Sequence, residues 1–71
     1  MRVRIDQQAD AIYLDLTERE IESSEEVADG IILDYDKAGR LVGIEILDAS
    51  KKAGDVDALR KLALDVPHVA A

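Results

Sequence analysis

Cysteine, phenylalanine and tryptophan are missing from this 71-residue chain, and proline and histidine occur once each. Without cysteine there is no disulfide framework, no thiolate metal site and no thiol nucleophile. Without phenylalanine or tryptophan the only aromatic bulk is Tyr13 and Tyr35, so the core is short of volume. The longest wholly apolar runs are pieces such as residues 31–33, far below what spans a bilayer. The first residues do not read as a signal peptide, so the expected location is the cytoplasm. Basic residues are the minority, 9 against 16 acidic ones, for a formal net charge of −7. That balance argues against direct nucleic-acid binding, which relies on Lys and Arg at phosphates. The length fits one small domain, here placed at residues 1–66 with a loose tail at 67–71. A domain of this size buries only about 60% of its unfolded surface. Its net stability is then roughly 3–5 kcal/mol, and association with a second chain is the remaining common remedy.

What is present is mostly period-two patterning. Val3-Arg4-Ile5-Asp6 and Ile12-Tyr13-Leu14-Asp15-Leu16 alternate apolar and polar, the mark of strands with one apolar face. Gln7-Gln8-Ala9-Asp10 joins them as a hairpin loop, and pairing Ile5 with Ile12 sets Val3 opposite Leu14 on one face. Residues 17–26 are the most polar, with Glu18, Glu20, Glu22, Glu25 and Glu26. They read as a solvated edge strand or as an acidic docking surface, with Glu22 and Glu25 as candidate partner contacts. Asp29-Gly30 supplies a turn. Residues 31–35 and 40–47 are the clearest strands, and the loop between them puts Leu33 across from Val42 and Ile31 across from Ile44. Their second face carries Ile32 and Leu41, with Leu47 near the end, either covered by a C-terminal helix or left as a partner-binding patch.

The expected strands are therefore 2–6, 11–16, 20–27, 31–35 and 40–47. A bulge or slipped register is expected in the third, because a three-residue turn at 28–30 would turn Glu25 inward. Asp48 or Ser50 can cap a first helical turn, which Gly54 interrupts. Val56, Leu59, Leu62, Ala63 and Val66 then fall on one helical stripe, giving a helix over 55–66 that Pro67 stops. The fold class is α+β: a small antiparallel β-meander of about five strands with a C-terminal helix packed on the sheet.

The best chemical motif is Asp34-x-Asp36-x-Ala38-Gly39 followed by Glu45, which follows a calcium-loop pattern at four positions. Ala38 replaces an oxygen ligand, and the flanks are strands. Glu45 then lies roughly 20 Å from Gly39 at about 3.3 Å per residue. Asp34 and Asp36 read first as turn residues, with a weak cation site as the remaining possibility. His68 lies beyond Pro67, and Ser23, Ser24 and Ser50 have no evident histidine partner, so no catalytic residue is assigned and an enzyme is not expected. No cofactor is expected.

Three stretches carry a family resemblance: Ile5-Asp6 through Ala9-Asp10-Ala11-Ile12-Tyr13-Leu14; Glu25-Glu26-Val27-Ala28-Asp29-Gly30-Ile31; and Leu33-Asp34-Tyr35-Asp36 with Gly39-Arg40-Leu41-Val42-Gly43-Ile44-Glu45-Ile46-Leu47-Asp48-Ala49-Ser50. Over about residues 3–52 the chain resembles the small bacterial and archaeal proteins grouped as Domain of Unknown Function 2283. The resemblance implies no catalytic residues. It implies an antitoxin-like role for some members, as the small partner of a nuclease-like toxin. An acidic protein could mask a basic RNA-cleaving surface by charge complementarity. The leading expectation is a non-catalytic protein-interaction module, forming a homodimer or binding a basic small protein. The alternative is a homodimeric domain that binds a metal ion or small metabolite between subunits.

Overall fold

The computed structural model describes residues 1–67. Five strands form one antiparallel sheet: β1 (Arg2–Asp6), β2 (Ala11–Asp15), β3 (Ser23–Ala28), β4 (Ile31–Tyr35) and β5 (Leu41–Ile46). They are followed by a short helix α1 (Ala49–Ala53), packed against the sheet, and a 3-10 turn at Ala58–Arg60. The α+β class with an antiparallel sheet and a packed helix is as the patterning predicts.

The strand order is β1-β2-β5-β4-β3, so the meander is not continuous. Two units, β1–β2 and β3–β4–β5, are each built of neighbouring hairpins. They join where β5 pairs with β2. The β1–β2 register matches the expectation, with Ile5 opposite Ile12 and Val3 opposite Leu14. The β4–β5 register does not: Leu33 lies opposite Ile44 and Ile31 opposite Ile46. A slip of two residues keeps the apolar face intact, which is why hydrophobic pattern alone does not detect it. The ladder also shifts between Asp34 and Tyr35, so that Tyr35 faces Leu41. The bulge expected in the third strand is present between Glu26 and Ala28. That strand begins at Ser23 rather than residue 20.

The helix expected at 55–66 is corrected. Gly54, at φ 68°, ends α1 with its amide on the Lys51 carbonyl. Asp55 accepts a hydrogen bond from the Asp57 amide at 3.0 Å, a local turn that competes with helix. Of the predicted stripe only Leu59 is buried, while Val56 is 87% exposed. A 12-residue helix is marginal unless an apolar stripe finds a surface, and this one does not. Residues 61–67 carry no regular secondary structure, and the rest of the predicted tail, 68–71 with His68, lies outside the described residues.

Cross-strand partners share a face. One face carries Val3, Ile5, Ile12, Leu14, Ile31, Leu33, Ile44 and Ile46, with Glu25 at its β3 rim. None of these eight apolar side chains is buried. The buried apolar residues are Val42, Ala49 and Leu59. The molecule is correspondingly flat, 38 × 37 × 18 Å.

Candidate functional site

The opposite face holds the most organised side chains. Tyr13 on β2 lies opposite Glu45, and Asp34 on β4 lies opposite Gly43, so β5 runs between them. Gly43 permits the crossing. A Cβ built there would come within 3.1 Å of the Leu14 carbonyl oxygen and of the Tyr13 hydroxyl. With no side chain in the way, the Tyr13 hydroxyl donates to Asp34 Oδ2. Ser24 Oγ on β3 donates to Asp34 Oδ1 at 2.5 Å. Asp34 is only 5% exposed, and both its oxygens are engaged. The outer end of the cluster is Arg4, whose guanidinium lies 4.4 Å from the Tyr13 ring centroid and donates to both oxygens of Asp15 at 3.0 and 3.2 Å. A cation over an aromatic face is attracted by the ring quadrupole.

The hydrogen bond to Asp34 comes first among the causes that push the Tyr13 phenol up to about 12, with burial and the Asp34 and Asp15 charges adding to it. A phenol held neutral that far above neutrality is poorly matched to proton transfer at physiological pH. The cluster ties four strands together across one face.

Asp36 occupies the β4–β5 turn and is also buried. It accepts from the Ala38 amide at 2.9 Å, the Arg40 amide at 2.8 Å and Arg40 Nε at 3.2 Å, and it pairs with Arg19 Nε at 2.7 Å. The Arg40 amide, then the Arg40 charge, the Ala38 amide and Arg19, hold its carboxyl below the ordinary 3.8 against the opposing effect of burial. Asp34 and Asp36 are thus bound to separate donor sets. No group of three or more His, Cys, Asp or Glu side chains placed to hold a metal ion occurs among the described residues.

The partner-contact candidates are dispersed. Leu41 sits at one end of the β4–β5 ladder, opposite Tyr35, whereas Ile32 pairs with Glu45 toward the other end. Leu47 lies beyond β5, its amide on the Gly30 carbonyl at 2.8 Å. All three are half-buried. Glu22 and Glu25 are exposed; Glu25 lies on the edge strand β3, and Glu22 immediately precedes it. The Tyr13–Asp34–Ser24 cluster was not anticipated from the sequence, where Tyr13 reads as a packing residue. The available signal was Gly43, a glycine in mid-strand, which marks a close approach. The larger apolar surface is the other face, where the aliphatic side chains are at most half-buried.

No curated protein and no solved structure matches the chain. A family model does, described as "Protein of unknown function (DUF2283)", over residues 2–50. The match ends at Ser50, whose amide and hydroxyl donate to the two oxygens of Asp10 at 3.0 and 2.8 Å, so it takes in the whole sheet and the start of α1. With most of its length inside that model, the chain belongs to the DUF2283 family.

Proposed function

We infer that this chain is a non-catalytic protein-interaction module whose sheet is the working surface. The observation that carries this reading is the apolar face of eight aliphatic side chains, Val3 exposed and the other seven only half-buried. Domains are ordinarily built of two packed layers around one core, and here the second layer is reduced to a five-residue helix and a 3-10 turn. The polar face, by contrast, is satisfied within the chain. Every buried side-chain nitrogen or oxygen among the described residues has a hydrogen-bond partner.

In its most specific form the partner is a basic, nuclease-like protein and the chain acts as its antitoxin. The support is the run of carboxylates at Glu18, Glu20, Glu22, Glu25 and Glu26, all exposed along β3 and the segment before it, in a chain of net charge −7. Such a strip steers a basic partner and weakens with salt. The test is native mass spectrometry of the tagged chain taken gently from its host. A defined complex, with itself or with another protein, is the expected result. A free single chain under all gentle conditions would sink the reading.

A further inference from the structure

We propose that the apolar sheet face is covered by a second copy of this chain, two sheets stacking face to face in a symmetric dimer. The proposal rests on the interaction-module reading and names the occupant of its surface.

Area is the first argument. The chain has an accessible surface of 5615 Å². A folded monomer of its 7.8 kDa mass is expected to expose about 4,400 Å², so the excess is roughly 1,200 Å². A stable interface of standard size takes about 800 Å² from each partner. The surplus is shared between the flat sheet and the exposed segment 60–67, and it is of the order of one such interface.

Charge placement is the second. The apolar face carries a single charged side chain, Glu25, at its rim. Arg2, Arg4, Asp6, Asp15, Asp34, Glu26 and Glu45 all lie on the opposite face. A basic or acidic foreign partner would find nothing on the apolar face to pair with. A second copy finds a surface that is its own complement. Stacked at about 10 Å, the two polar faces point outward, and at physiological salt their repulsion is screened over about 8 Å. A two-fold arrangement is also the commonest form of soluble oligomer.

The chain's own C-terminal segment is the competing cover. Among the described residues it meets the face at the β1 corner, where Leu59 and Leu62 line a hollow with Ile5. Leu62, Leu64 and Val66 remain 65%, 77% and 78% exposed, so the described part of this segment does not complete the cover, and Leu14 and Ile44 at the centre of the face stay half-buried.

The absence of cysteine makes the test direct. Light scattering at micromolar concentration and physiological salt gives the mass, and two single-cysteine variants give the face. Ile44→Cys is at the middle of the apolar face, and Glu45→Cys, the next residue, is on the opposite one. The expected result is twice the 7.8 kDa chain mass and a covalent dimer with a short bis-maleimide from Ile44→Cys but not from Glu45→Cys. Val3→Glu, at a position 41% exposed on the same face and therefore tolerant of folding, should raise the dimer dissociation constant by at least about tenfold. A single-chain mass at all concentrations overturns the proposal, as does a dimer that links through Glu45→Cys or ignores Val3→Glu. Should the single-chain mass be found while native mass spectrometry shows a complex with a different protein, the second copy is wrong and the interaction module stands. With no complex of either kind, both fail.

Discussion

At the scale of single residues, Gly43 does the least conspicuous work and has the clearest consequence. A methyl group there meets the Leu14 carbonyl and Tyr13 Cε1 at 3.1 and 3.3 Å, one of them backbone that does not yield. Gly43→Ala should push Tyr13 off Asp34 and cost about 1–3 kcal/mol by overpacking, read as a lower urea midpoint. Tyr13 itself offers a spectroscopic check. Its pKa is raised from 10.0 to about 12. The hydrogen bond's contribution is therefore complete below pH 10 and is lost as the pH rises through about 12. A tyrosinate absorbance titration should show a step near 12, absent from Tyr13→Phe, and the wild-type stability should fall over the same window. A wild-type titration with no late step would mean that the Tyr13–Asp34 bond does not form. None of this contact was legible as a pair in the sequence. Residues 13 and 34 meet only because β5 lies between β2 and β4, which is a property of strand order rather than of local pattern.

At the scale of elements, the hairpins were legible and the connection after the sheet was not. The β1–β2 hairpin follows from apolar alternation and a four-residue loop. The β3 bulge follows from the conflict between a short turn and an inward Glu25. The helix was misplaced because a stripe of apolar residues at helical spacing says nothing about whether a surface exists to receive it. The real helix starts at Ala49, whose amide donates to the Asp10 carbonyl at 2.9 Å. Asp10, in the β1–β2 turn at φ 55°, accepts from Ser50, a cap supplied from 40 positions away. Neither Asp48 nor Ser50 caps it by side chain. Two carboxylates therefore hold the ends of the sheet. The Ser50 amide, then its hydroxyl and the Lys51 charge, lower the Asp10 pKa, and Asp36 is lowered by its own set. Both are depressed below 3.8, so their contribution is present above that value and is lost as the pH falls through the still lower folded-state values. Urea midpoints should hold above about pH 4 and drop as the pH falls below it. Asp36→Asn should start lower at neutral pH and fall less on acidification. An unchanged acid slope in both Asp36→Asn and Asp10→Asn would remove these two groups from the account.

At the scale of the whole molecule, the sheet is wide for its chain. The radius of gyration is 13.8 Å, against about 11 Å for a compact domain of this length. The sequence foretold a core short of bulk. It left the second face, with Ile32, Leu41 and Leu47, either covered by a helix over 55–66 or open to a partner, and that helix does not form. Stability in such a molecule is concentrated in lateral contacts between aliphatic side chains on one face and in whatever covers them. Ile44 sits between Leu14 and Leu33 on the central strand and touches both contributions. Ile44→Asp sets a carboxylate among aliphatic neighbours that offer it no partner. Beneath a second sheet that charge would be buried without a partner, at a cost of several kcal/mol, against a total of roughly 3–5 kcal/mol for a domain this small. The variant should therefore show no cooperative urea or thermal transition at micromolar concentration. Leu64→Asp is the matched control: the same change of chemistry at a position 77% exposed, where the charge stays in water, should move the midpoint by no more than about 0.5 kcal/mol. A cooperative transition in Ile44→Asp close to that of the parent would mean that the aliphatic face contributes little to folding, and the sheet would then have to be held by its ladder and by the Tyr13–Asp34–Ser24 cluster alone.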